Sequence, residues 1–571
     1  MNDYLINFVK RALIRFSLIV YVRHLKMMIS PKRRALHRQQ RGRLEYYRRT
    51  IGSSLCTYAP KPLKNNILIF NTFEDVDAVA LHSIALASFK KAGFKLCAIL
   101  SGRTDGWLEQ TLRLFGVDMF VYYEDFMDWG AHAEFENLWE KLINGHRILD
   151  LKYRGANVGK YALSTFMRQT RNGDPDLTDT DTAVAFRALL LDVLRYADAV
   201  EKINAAMKPT AALIADRGYS PQGQLFDIMI NNNYPCFTWN SAHSNQVLML
   251  KRYSKKNLSD HHSTLSQASW SHIKAMSWSE KHWNDLSGNF SSNYKSGEWA
   301  SAGGSQVDKS FPAPIEVIEQ LGLNPEKKTA FVFSHIFWDG TFFWGEDLFR
   351  NYVDWFCQTV AAACENDSLN WVFKIHPANV MKDNRDGVFG EHSEMKAIRD
   401  VVNSLPPHVC VIEAADTLST YALFPIMDFC ITVRGTVGIE ASCRGIPVIT
   451  AGSGRYDRKG FTVDPDSSSQ YLDILSSLPN IEPLSSKQTE LARRFAYGIF
   501  HLRPLTVTSF NFGYGKDSKA TMLINCDCVR EENPYNAVDI SSVAHWIESG
   551  EEDFLNLNFS SERKTNRGCN G

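Results

Sequence analysis

Short apolar runs bounded by turn residues alternate with helical stretches along this chain, and that rhythm limits its fold more than any other feature. In the first half the runs cover residues 66–71 (NILIFN), 94–100, 119–123, 211–215 (AALIA) and 236–239 (CFTW), with helical stretches at 77–92, 131–144 and 181–207. A second series has runs at 329–333, 371–375, 409–412, 428–433 and 447–450, with helices expected at 346–363, 394–405, 417–423 and 437–444. A strand that stays apolar along its whole length is buried on both faces, as parallel strands covered by helices are. The sequence therefore predicts an α/β protein with two Rossmann-type, doubly wound parallel-sheet domains. Residues 286–310 turn to Ser, Gly and Asn and read as a linker or surface loop. Two such sheets face each other across a cleft at their carboxyl ends, where this architecture binds ligands. The expected divisions are a basic helical lead at 1–60, a first domain with its linker at 61–310, a second domain at 311–500, and an extension with a flexible tail at 501–571.

Charge refines this outline. Lys+Arg and Asp+Glu are both 63, so no global excess points to a nucleic acid partner. The balance hides a basic lead: Lys10, Arg11, Arg15, Arg23, Lys26, Lys32, Arg33, Arg34, Arg38, Arg41, Arg43, Arg48 and Arg49 are opposed before residue 50 only by Asp3 and Glu45. A membrane-spanning helix needs ~20 nearly uncharged apolar residues, and the longest uncharged apolar run here is residues 16–22. The lead reads as a basic amphipathic segment lying on an anionic membrane face; a helix packed on the protein body is the alternative. The 11 cysteines include only one close pair, Cys526 and Cys528, and no zinc spacing, so they read as reduced cytosolic thiols. His261 and His262 read as exposed loop histidines rather than metal ligands, and no metal site is expected.

The residues that carry chemistry fall where the runs end. Arg434, Gly435, Thr436, Val437, Gly438 and Glu440 follow the run 428–433. Gly435 allows a sharp turn, Thr436 is placed to cap a helix from Val437, and the N-terminus of that helix suits a phosphate. Glu440, one turn in, is placed to accept from ribose hydroxyls. Lys374 and His376, fixed in direction by Pro377, supply a cation and an imidazole tuned near neutrality to a leaving phosphate. Ser334 opens a polar, aromatic loop (residues 334–340) that reads as a donor contact. In the first domain Asp216 is the candidate base for an acceptor hydroxyl, and Arg217, Tyr219, His243 and Asp75 are candidate acceptor contacts, with helix capping a rival role for Asp75.

The KIHP string at 374–377, followed by RGTVGIEASCRGIPVI at 434–449, resembles the donor-binding half of bacterial capsule polysaccharide biosynthesis glycosyltransferases, including the Kdo-transferase and sialyltransferase-like groups with an HP motif. The resemblance covers residues 312–484. It implies a GT-B-like fold, contact of His376 with nucleotide phosphates, and nucleotide contacts for Arg434, Thr436 and Glu440. It also implies a nucleotide-sugar co-substrate, with CMP-linked ulosonic acids among the options, and no cofactor or metal. The acceptor implied is a saccharide or lipid-linked glycan at the inner face of the cytoplasmic membrane. The YRGANVG string at 153–159 and the DRGYSPQG loop at 216–223 look like acceptor-side features of surface-carbohydrate proteins. Three alternatives stay open: a polyol-phosphate transferase, a nucleotide-sugar epimerase, and a non-catalytic scaffold of a polysaccharide-assembly complex.

Overall fold

The computed structural model describes residues 31–51, 54–63, 65–71, 76–101, 106–130, 132–143, 147–300, 304–340, 342–388, 390–515, 522–525 and 533–556. Asp75, the lead before residue 31 and the pair Cys526 and Cys528 lie outside the described residues. Among these residues the first sheet contains β1 (Ile67–Asn71), β2 (Lys95–Leu100), β3 (Met119–Tyr122), β4 (Ala211–Ile214) and β5 (Cys236–Ser241), parallel and in the order β3-β2-β1-β4-β5. β6 (Val247–Tyr253) adds to β5 in the antiparallel sense. The second sheet contains β7 (Thr329–Phe333), β8 (Asn370–Lys374), β9 (Val409–Ile412), β10 (Phe429–Thr432) and β11 (Val448–Thr450), all parallel and in the order β9-β8-β7-β10-β11. Both sheets thus share one doubly wound order. In each, the first strand of the series lies beside the fourth, so a crevice opens at the carboxyl ends of β1 and β4 and of β7 and β10.

Burial explains the apolar runs. Every residue of β4, β7, β8 and β10 is buried, because helices cover both faces of a parallel sheet. β6 breaks the pattern with a charge in its middle. Lys251 is fully buried there, and its Nζ donates to Glu552 at 2.6 Å and to Asp553 at 3.0 Å. Although burial opposes it, Arg503 and Lys251 hold the Asp553 carboxyl well below the usual carboxylate range. These partners belong to a C-terminal segment that returns to the first lobe. β12 (Leu505–Thr506) pairs with β6, and Phe510, Trp546 and Phe554 sit in the first lobe's core.

Two expectations change. Residues 286–296 are not linker: they complete the helix Glu280–Ser296, because Leu286, Phe290 and Tyr294 recur at helical spacing and are buried on one face. The helix Pro31–Thr50 is seated on the protein through Leu44 and Tyr47, while Arg38, Arg41, Arg48 and Arg49 face solvent. No helix among the described residues is long and apolar enough to cross a membrane.

Candidate active site

The chain leaves β8 through Ile375, His376 and Pro377 into the helix Ala378–Asp386. The His376 backbone N–H donates to Ser334 Oγ at 2.9 Å, which ties the end of β8 to the end of β7. The Ala378 N–H donates to His376 Nδ1 at 3.2 Å, so the neutral ring carries its proton on Nε2. Burial first, and then the Lys382 ammonium, push this imidazole down to about 4. The ring is therefore neutral at pH 7 and acts as a hydrogen-bond donor, which corrects the expectation of a histidine tuned near neutrality.

His335 fills the crevice between β7 and β10. Its Nε2 lies 3.2 Å from Thr432 Oγ1 and accepts the Arg434 N–H at 3.5 Å, while its ring stacks on Tyr352 with centroids 4.6 Å apart. Burial above all, and then Arg434, His376 and Arg455, hold its pKa well below the ordinary value.

The other expected donor-side charges are engaged within the fold. Lys374, 3% exposed, donates to the Leu418 carbonyl at 3.0 Å, and burial followed by Lys309 pushes its ammonium down to about 7. Arg434 pairs with Asp347 and donates to Tyr352 Oη and the Glu346 carbonyl, each at 3.3 Å. Its guanidinium secures the loop before the helix Tyr352–Glu365 instead of standing free for a phosphate. Glu440, 1% exposed, lies among Arg444, Tyr294 and Trp299; burial pushes its carboxyl up to about 7, and Oε2 has no partner. It is enclosed, not at the mouth of the turn.

The turn itself differs from expectation. Gly435 has φ −62, so no left-handed conformation demands glycine; a Cβ there would stand 2.8 Å from Thr432 Oγ1. Thr436 does not cap the helix but begins it, Gly435 occupies the cap position, and Thr436 Oγ1 accepts from Arg455 at 2.9 Å. At Gly438 a Cβ would meet Tyr456 Oη at 2.2 Å, and that hydroxyl donates to the Gly435 carbonyl at 2.8 Å. Close packing under Tyr456 accounts for this glycine.

Across the gap, β4 delivers Asp216. Its backbone N–H donates to Gln222 Oε1 at 2.7 Å, and its carboxylate lies 3.2 Å from Arg168 Nη1. The Asp216 side chain keeps 42% of its surface exposed. Burial by the surrounding walls raises its pKa, Arg168 opposes the rise, and Asp339 adds to it. Tyr219 Oη donates to Asp339 Oδ1 at 2.5 Å and accepts the Gly340 N–H at 3.1 Å. Lys382 holds the other Asp339 oxygen, and Arg168 lies 4.3 Å over the Tyr219 ring. Asp216, Arg168 and Tyr219 of the first lobe thus meet Asp339 and Lys382 of the second, beside His376. Further bonds hold the lobes together: Arg171 pairs with Asp383 and Asp386, and Asp174 with Arg350 and Asn351.

Two acceptor-side candidates stand elsewhere. Arg217 is 4% exposed, stacked by Trp344, Tyr253 and Phe226, and donates to the Leu258 carbonyl at 2.6 Å and the Phe343 carbonyl at 2.8 Å. His243 packs on Trp299 and Phe500, and burial followed by His501 pushes it down to about 3. His261 and His262 are not exposed loop residues: they stack on each other at 4.1 Å and against Trp344. The site residues that sequence reasoning missed are Arg168, Lys382, Asp339 as a partner of Tyr219, and Arg455. Asp339 stands in the 334–340 loop already read as a donor contact, whereas Arg168, Lys382 and Arg455 stand in no such motif and are recognisable only through contacts distant in sequence.

No family model matches the chain, and no curated protein matches it. Among solved structures, it is similar to the Thermosulfurimonas dismutans KpsC β-Kdo 2,4-transferase at 13% identity, over 57% of this chain and 87% of that one, with a TM-score of 0.30. A glycosyltransferase from Rickettsia africae is similar at 10% identity, over 77% of this chain and 95% of that one, with a TM-score of 0.29. S. aureus MnaA, solved with UDP, is similar at 11% identity, over 85% of this chain and 95% of that one, with a TM-score of 0.28. At such identities and TM-scores the two-lobed, GT-B-like fold rests on the strand order described above. Kdo transferases and other glycosyltransferases are among the structures this chain resembles.

Proposed function

We propose that this chain is a glycosyltransferase that moves a sugar from a nucleotide-activated donor to a saccharide or lipid-linked acceptor in the synthesis of a capsule or surface polysaccharide. One juxtaposition carries the reading: the helix that His376 leads into brings Lys382 to Asp339, which Tyr219 and Arg168 join to Asp216 of the first sheet. The donor phosphates lie along Ser334, His376 and the backbone of residues 434–438. His376 Nε2–H donates to the phosphate oxygen on which negative charge grows as the bond to the anomeric carbon breaks. Asp216 accepts the proton of the acceptor hydroxyl, whose oxygen forms the new bond to that carbon. The nucleotide leaves with the electron pair of the broken bond, and the proton stays on Asp216. A carboxylate raised above its ordinary pKa is a stronger base, and the Asp216 environment has that sense. Tyr219 lines the acceptor side and Asp75 is proposed for the same side, while Arg217 and His243 are engaged elsewhere within the fold. The solvent-facing arginines of the helix Pro31–Thr50 suit docking on the anionic inner face of the cytoplasmic membrane.

The test is turnover of CMP-, UDP- and GDP-sugars with glycan acceptors, followed by chromatography of free nucleotide and elongated product. Elongation that depends on Asp216 supports the reading. An isomerised donor formed without acceptor would mark an epimerase, and absence of elongation with every donor would remove the transferase.

A further inference from the structure

Arg455 carries a charge that the described residues leave unmatched. It lies in the loop after β11, where Nη1 donates to the Arg434 carbonyl at 3.0 Å and Nη2 to Thr436 Oγ1 at 2.9 Å. Both acceptors are neutral, and among the described residues no carboxylate forms an ion pair with it. Its Nε is buried without a partner. Arg434, its neighbour, differs in this respect, because Asp347 neutralises it. Burial first pushes the Arg455 guanidinium down to about 10; Tyr456 opposes the fall, Arg434 adds to it, and Glu440 opposes it without forming an ion pair. A partly buried guanidinium whose side-chain bonds go only to neutral oxygens keeps N–H groups for an anion.

The surroundings say what the missing anion is. Arg455 lines a cavity of about 550 Å³ at the carboxyl end of β11, together with Thr450, Ser453, Asp457 and Asp464. Its hydrogen-bond partner Thr436 opens the helix that follows β10. On the other side, the Arg434 N–H donates to His335, the chain neighbour of Ser334, whose Oγ accepts the His376 backbone N–H. Held by two neutral oxygens, the guanidinium has further N–H groups to offer, and its planar fork matches a phosphate.

We propose that Arg455 receives the phosphate of the nucleotide donor and that the hydroxyl-bearing part of the ligand extends into the cavity at the end of β11. The inference rests on the nucleotide-sugar reading and supplies the cation that Lys374 and Arg434, engaged within the fold, do not. The cavity's carboxylates, Asp457 and Asp464 among them, are hydroxyl acceptors, whereas the phosphate end meets the arginine.

Calorimetric titration of the full chain with a nucleoside monophosphate and with its nucleoside tests this, using wild type, Arg455→Met and Arg455→Lys. A charge-assisted hydrogen bond is worth about 1.5–3 kcal/mol, so Arg455→Met is expected to cut the preference for nucleotide over nucleoside at least about tenfold, with Arg455→Lys between. The thermal midpoint should change little in Arg455→Met, because the guanidinium is partly exposed and bonded only to neutral oxygens. An unchanged preference overturns the proposal, as does a fall in midpoint with the preference kept, which would make Arg455 a structural clasp. Should Arg455→Met fail to fold, the preference measured in Arg455→Lys decides. If wild type binds no nucleotide, inorganic pyrophosphate is titrated instead. Binding lost in Arg455→Met then keeps Arg455 as an anion site while the transferase reading falls, and no binding by wild type overturns both.

Discussion

The two sheets share a strand order but finish their carboxyl edges differently. On the second sheet the charges placed by the sequence at strand ends, Lys374, Arg434 and Glu440, are all buried and held within the protein. On the first, Asp216 and Arg168 form a pair in which each side chain keeps about two fifths of its surface. The same topological position therefore serves architecture on one side and is open to chemistry on the other. A residue's place at a strand end announces which crevice it borders. Whether its charge is available depends on what the rest of the chain brings against it.

Substitutions sharpen that contrast. Asp216→Asn should lower transfer by about 10²–10⁴, the span of general base catalysis. Because an exposed ion pair is worth about 0–1 kcal/mol, the thermal midpoint should barely move; a large loss of stability would place Asp216 with the architectural charges. Arg434→Ala should act in the opposite sense, leaving Asp347 as an uncompensated buried charge at a cost of about 3–5 kcal/mol. Denaturant unfolding reads it, and an unchanged midpoint would show that Arg434 is free for ligand after all. Gly438→Ala drives a methyl group towards Tyr456 Oη and should cost about 1–3 kcal/mol by overpacking. An unaltered unfolding midpoint would remove packing as the reason for that glycine.

Much of the architecture was legible because parallel strands buried on both faces leave unbroken apolar runs, as at 211–215 and 329–333. β6 was not legible: Lys251 interrupts it, and the residues that neutralise Lys251 lie some three hundred positions away. The helix Glu280–Ser296 was hidden for a related reason, since its polar composition conceals a stripe of Leu286, Phe290 and Tyr294. Site residues followed the same rule. His376 and Asp216 were legible from the strands they terminate, whereas the bond from Tyr219 to Asp339 joins residues 120 apart and leaves no local trace. Gly435 and Thr436 show how a motif can be located correctly and its local geometry misjudged, because Arg455 takes the threonine oxygen that a cap would have used.

A further, pH-linked effect comes from buried histidines. Burial lowers His82 and His243 to about 3. Their folded values lie below the ordinary 6.5, so their neutral forms favour the folded state above pH 6.5, and stability is lost as pH falls from 6.5 towards 3. His82 lies in the first lobe, against Trp239. Replacing His82 with Asn should flatten the acid limb of the stability curve, followed by denaturant unfolding at several pH values. An unchanged limb would mean that other groups carry it.

The most direct measurement of the account is calorimetric titration of CMP, UDP and GDP into wild type and His376→Ala. Binding of one nucleotide by wild type, weakened at least about tenfold in the variant at an unchanged thermal midpoint, is the predicted result. Equal affinities in the two proteins, or no nucleotide binding by wild type, would contradict the claim that the edge of the second sheet around His376 holds the donor phosphates.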